Sequence, residues 1–161
     1  MRAHLLETLM LRPILLATLV AGTLDILSAF VFAGMAGMTP VQVLTFVASG
    51  PFPAAAPTPG WAAIGLAVHY AIMVCMVIAY FLLAPRRPHL LDMPIRAGIA
   101  YGIVLWGIMY WIVRPLRWPE MPLPHTLWGI SNALFSHCVL VGIPIALIAA
   151  RHFMARRSAF A

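Results

Sequence analysis

The sequence of 161 residues contains no lysine, only four acidic residues and only two cysteines. With 9% of residues charged and 63% hydrophobic, it has too little polar surface for an ordinary soluble domain and too little charge for a disordered chain. Cys75 and Cys138 both fall inside apolar runs, which excludes a disulfide framework and makes them small core residues. Also missing are a Cys-x-x-Cys-His haem attachment motif, a His-Glu-x-x-His pair, a glycine-rich phosphate loop and a defensible Ser/His/Asp spacing. The histidines are too few for the clusters of membrane di-iron enzymes. A non-enzyme is expected, and with no internal repeat, residues 1–161 read as a single integral membrane domain.

What the chain does have is long apolar runs. Four are long enough to cross a hydrocarbon layer about 30 Å thick, at about residues 13–38, 61–84, 97–113 and 127–150. Met1 to Arg12 sets Leu5, Leu6, Leu9 and Met10 against Arg2, Glu7 and Arg12, the pattern of a short helix at the lipid surface, with Pro13 opening span one. Small residues at Val31 to Ala36 imitate a cleavage site, but Asp25 and three further apolar runs argue that the segment is retained. Thr39-Pro40 is a helix start, and Val41 to Ala48 is too short to span. It is expected as an interfacial or re-entrant helix between spans one and two, followed by a proline-rich linker over Pro51 to Gly60.

All ten basic residues are arginine, and loop by loop they divide unequally. Arg2, Arg12, Arg86, Arg87, Arg96, Arg151, Arg156 and Arg157 fall on one side; Arg114 and Arg117 fall on the other. The positive-inside rule makes the eight-residue side cytoplasmic, with both termini there. The basic excess is therefore membrane topology and not a nucleic-acid surface. The fold predicted is all-α, a membrane-embedded four-helix bundle running up, down, up, down. Its partners are the lipid bilayer and, as a homo-oligomer or within a larger complex, other membrane chains.

One carboxylate interrupts span one near mid-membrane depth. Asp25 stands in a four-residue column with Ala21, Ala29, Ala33 and Gly37, whose small side chains let another helix come close, so the acid should face protein. Counting inward, His69 of span two lies roughly 14 Å and His137 of span four roughly 17 Å from the same face. Gly65 precedes His69 by one turn, and Gly129 and Ala133 share the His137 column. Ser28, Asn132 and Ser136 lie nearby in sequence and complete a polar cluster. Pro144 frees the carbonyl of Leu140 as a further acceptor.

Four readings of this cluster stand side by side. In the first, Asp25, His69 and His137 form a structural clamp in a small self-associating or accessory subunit, with Gly98 and Gly102 of span three as its contact face. In the second, His69 and His137 hold haem b from facing helices, with Asp25 behind them. In the third, His69, Met73, Met76 and His137 hold a transition metal such as copper. In the fourth, Asp25 is the titrating site of proton-coupled transport.

Ala21-Gly22-Thr23-Leu24-Asp25, Leu66-Ala67-Val68-His69-Tyr70, and His137 followed by Val141-Gly142-Ile143-Pro144-Ile145-Ala146 resemble small uncharacterised bacterial four-helix inner-membrane proteins. More distantly the layout is similar to the YagU-like proteins, though without their longer soluble insertions. The resemblance covers most of the chain and implies an inner-membrane address and a four-helix fold. It implies no activity and no site residues.

Overall fold

A computed structural model describes residues 2–123 and 125–158, with side chains over 10–123 and 125–155. The side chains of Arg2, Arg156 and Arg157, three members of the arginine tally, lie outside the described residues. The described residues form helices and no strand. Four helical stretches are long and apolar enough to cross a membrane: Met10–Met35, Pro59–Arg86, Pro94–Arg117 and Leu127–Ala155.

The first belongs to α1, Arg2–Met35, which runs unbroken through Pro13. The separate surface helix expected over Met1 to Arg12 is therefore absent. Proline deletes a single backbone bond, to the carbonyl of Leu9, and the regular turns on either side carry the helix across that gap. At its other end α1 stops on Gly37, whose φ of +83° only glycine adopts cheaply. The N–H groups of Gly37 and Met38 donate back to the carbonyls of Gly34 and Ala33, the paired closure of a Schellman motif.

Helix α2, Pro40–Ala48, begins in a capping box in which Thr39 and Gln42 satisfy each other's backbone N–H. Helix α3, Pro59–Leu83, starts the same way: the Thr58 hydroxyl accepts from the Trp61 N–H and Pro59 fills a position that needs no donor. The two helices pack without a spacer. A Cβ on Gly65 would lie 1.8 Å from the Leu44 carbonyl oxygen.

A tight turn at Ala84–Arg86 and the one-turn helix α4, His89–Asp92, connect to α5, Pro94–Ile108. The third span continues through a wider π turn, Met109–Val113, into α6, Arg114–Arg117. The fourth runs from α7, Leu127–Phe135, through a π segment, Ser136–Gly142, into α8, Ile143–Ser158. Both π turns end two residues before a proline, Pro115 and Pro144. A proline ring collides with the carbonyl four residues back, and widening the preceding turn moves that carbonyl away. The N–H groups of Arg114 and Ile143 accordingly reach five residues back, to Met109 and Cys138.

The helices are arranged as an open horseshoe: α3 packs on α1, α1 on the fourth span, and the fourth span on α5. Its core is built from Ala17, Ala21, Met73, Val77, Tyr80, Phe81, Val141, Ile145 and Ala149. Gly98 and Gly102 are buried where α5 meets the π segment; a Cβ on Gly102 would lie 2.4 Å from the Cys138 Cα and the His137 carbonyl oxygen. The face expected to contact a second chain is thus occupied by the chain's own fourth span.

Helices α3 and α5 form the open side; one set of contacts joins them directly, and a second joins α6 to the end of α2, which packs on α3. At the α4 end the Tyr101 hydroxyl donates to the Met76 carbonyl at 2.7 Å, and the Tyr80 and Tyr101 rings meet edge-on at 5.0 Å. At the α2 end Arg117 donates to the carbonyls of Gly50 and Ser49, the Trp118 indole N–H donates to the Ser49 hydroxyl at 3.2 Å, and Trp118 stacks on Phe46 at 4.6 Å.

Candidate functional site

Between these two ties the horseshoe encloses a cavity of about 720 Å³. Its wall is chiefly apolar, supplied by Val68, Ile72, Met73, Met76, Met109, Val113 and Val141, with Phe46 and Val47 from α2. Into this wall are set Asp25, His69, His137, Tyr110 and Arg114.

Asp25 comes from α1, and its column splits the helix as the small residues require. Ala21 is fully buried, Ala29 lines the cavity, Ala33 is half-buried, while Leu27 and Val31 on other faces are exposed. Both imidazoles lie within electrostatic reach of the Asp25 carboxyl group. No hydrogen bond or ion pair to that carboxyl group is formed among the described residues. A clamp would use those oxygens; here they are left to the cavity.

The two histidines are each fixed by one nitrogen. Buried His69 places Nε2 2.9 Å from the carbonyl of Gly22, and His137 places Nδ1 2.9 Å from the carbonyl of Ala133 on its own helix. A carbonyl only accepts, so each of those nitrogens carries a proton and donates it. What remains is Nδ1 of His69 and Nε2 of His137, neither with a hydrogen bond among the described residues. The approach of α1 that supplies the Gly22 carbonyl needs glycine: a Cβ there would lie 2.8 Å from the Tyr70 ring. The Tyr70 hydroxyl completes this contact with the Thr23 hydroxyl at 2.8 Å.

These orientations correct parts of the expected chemistry. A haem held by two imidazoles is served best by two free Nε2 atoms, and His69 has committed its own to Gly22, so the pair does not present matched ligands. His137 alone has the orientation of a prepared ligand, Nδ1–H on a carbonyl and Nε2 free. It takes the Ala133 carbonyl rather than that of Leu140, the acceptor expected from Pro144. Met73 and Met76 do line the same cavity as both histidines. Among the described residues no three His, Cys, Asp or Glu side chains group as a metal site.

The remaining polar residues divide. The Ser28 hydroxyl donates to the Asp25 carbonyl at 2.8 Å and accepts from the Ser136 hydroxyl at 2.8 Å, tying α1 to the π segment just behind the acid. Asn132 stands apart from that group. It lines a smaller cavity of about 280 Å³ with Tyr110, Arg114, His125, Thr126 and Gly129. Tyr110 and Arg114, neither expected at the site from the sequence, line both cavities, and the Tyr110 ring packs edge-on against His137 at 5.9 Å. Their four-residue spacing, on one helix face, is the signal that joins them.

Comparison with protein-family models, with curated proteins and with solved structures found no match for this chain. The fold and the cavity define a class only: a helical protein with four stretches able to span a membrane.

Proposed function

We propose that the chain is a non-catalytic, four-span protein of the bacterial cytoplasmic membrane that binds a lipid-soluble ligand in its central cavity, serving as a small accessory subunit. In this reading the spans run up, down, up, down, both termini are cytoplasmic, and α2 rests at the opposite interface. The observation that carries it is a group of polar atoms without a hydrogen bond among the described residues, on side chains that line one half-open, chiefly apolar cavity: the Asp25 carboxyl group, Nδ1 of His69 and Nε2 of His137. A volume of about 720 Å³ is of the size that takes small organic ligands, with few polar groups to orient them. The lightly tied side between α3 and α5 faces the acyl chains and gives such a ligand a lateral way in. Assembly with other chains then uses exposed apolar faces, since the glycines of α5 are already covered.

The test is organic extraction of the protein purified in mild detergent, with mass spectrometry of what co-purifies. A compound carried by the wild type and lost from Ala29→Trp, which fills the cavity, is expected; identical extracts from both proteins would sink the reading. One observation favours a second reading, haem or a transition metal, namely the free Nε2 of His137 in a cavity that also contains Met73 and Met76. A reduced-minus-oxidised absorption band or a stoichiometric metal lost in His137→Ala would select it.

A further inference from the structure

At the α2 end of the horseshoe two arginines one turn apart differ in what they hold. Arg117 spends its guanidinium on the carbonyls of Ser49 and Gly50. Arg114 makes no hydrogen bond among the described residues. Its Nε is buried without a partner, and its nearest notable neighbour is the face of Tyr110, 5.8 Å from the guanidinium carbon. Arg12, Arg87 and Arg151 also lack such bonds but are exposed, whereas Arg114 is half-buried. A permanent cation with a buried, unsatisfied donor is costly unless an anion arrives from outside the chain.

The space beside it suits one. The cavity of about 280 Å³ is lined by Arg114, Tyr110, His125, Thr126, Gly129 and Asn132, and among the described residues no carboxylate lines it. Its polar lining is rich in donors, and it lies at the start of α7, whose positive end adds to the same field. At about 30 Å³ per water the volume corresponds to roughly nine waters, enough for a phosphodiester with part of its glycerol. Leu123, which lines the cavity, is exposed, and Leu127, next to the lining Thr126, is 84% exposed, so apolar side chains border the charged pocket. That combination favours an anion that carries acyl chains over a free one.

We propose that this smaller cavity is a phosphate-recognition site for a membrane lipid, with Arg114 as the residue that holds the phosphate. Basic pockets between spans are a general means of holding lipid headgroups. The site gives a use to Arg114, one of the two arginines on the sparsely basic side. It shares a wall with the larger cavity but does not depend on that cavity's ligand.

Native mass spectrometry of the full chain in mild detergent tests this with phosphatidylglycerol, diacylglycerol of the same chains, and inorganic phosphate as probes. Phosphatidylglycerol should remain bound to the wild type at least tenfold more than to Arg114→Gln, with Arg114→Lys between them and diacylglycerol not retained. Asn132→Leu, which fills the pocket without removing charge, should also release the lipid and keeps the test informative should Arg114→Gln fold poorly. Equal retention by wild type and both variants would overturn the proposal, as would equal retention of diacylglycerol. Stabilisation by inorganic phosphate that requires Arg114, without lipid retention, would overturn the lipid assignment and give the site to a free anion.

Discussion

Asp25 and Ser28, three residues apart on α1, make opposite use of their polarity. Ser28 spends its hydroxyl on the Asp25 carbonyl and on Ser136, while the Asp25 carboxyl group bonds to nothing among the described residues. Removing the serine hydroxyl should therefore cost stability, and removing the charge should not. Ser28→Ala is expected to lose about 0.6–1 kcal/mol in detergent unfolding, the range for a hydrogen bond between spans. Asp25→Asn should stay within about 0.5 kcal/mol of wild type. A loss of about 3 kcal/mol or more in Asp25→Asn would mean that the carboxylate is paired after all. That an acid faces the protein was legible from its column of alanines, but its lack of a partner among the described residues was not. Sequence spacing gives the depth of a side chain, while the Nε2 of His69 turned to Gly22 through a rotamer that no spacing encodes.

Among the elements, the third and fourth spans show how the same residue type does different work. Gly102 meets backbone atoms of the π segment, which cannot swing aside, whereas Gly107 on the same span has nothing within 4 Å of where its Cβ would be. Gly102→Ala should destabilise by about 1–3 kcal/mol through overpacking. Gly107→Ala should be neutral or stabilise by about 0.5–1 kcal/mol, because alanine gives up less freedom in a helix. Parallel unfolding curves that rank the two variants equally would refute this contact. Gly37→Ala, forced into the left-handed region, should cost about 1–2 kcal/mol and fray the end of α1 toward the capped α2. Of the helix starts, Thr39-Pro40 was read from its local signal, whereas Thr58-Pro59 carries the same signal and was left in the linker over Pro51 to Gly60, so α3 begins two residues earlier than expected. The π turns were not read, although each carries a mark: a proline two residues beyond. Whether the Gly98 and Gly102 face meets its own chain or another depends on the curvature those turns create.

For the whole molecule, the open side between α3 and α5 decides which surface is available to what. Cys75 is exposed and lies in the second spanning stretch, among side chains that would face acyl chains, while Cys138 is buried beside Gly102. In membranes, a lipid-soluble maleimide should therefore label Cys75 alone, a membrane-impermeant one neither cysteine, and denaturant should be needed for Cys138. Rapid labelling of Cys138 in the native protein would show that the fourth span does not pack on α5 as described. Four stretches long and apolar enough to span a membrane were plain from hydrophobic run length. The cavity was invisible, because it arises from the gap between two helices, and a gap leaves no pattern in either of them.

The π segment at Ser136–Gly142 carries one residue more than a regular helix would need over the same rise. Deleting Val139, whose side chain is exposed, would let the segment relax to ordinary pitch, because six residues of regular helix turn the chain about as far as seven do in the wider turn. Ile145, Ala146 and Ala149 would then keep their places in the core, and the cost would fall at Pro144, whose ring would meet the carbonyl four residues back. This deletion ought to yield a chain that keeps full helical content by circular dichroism and unfolds more easily, because the irregularity is what makes room for that ring.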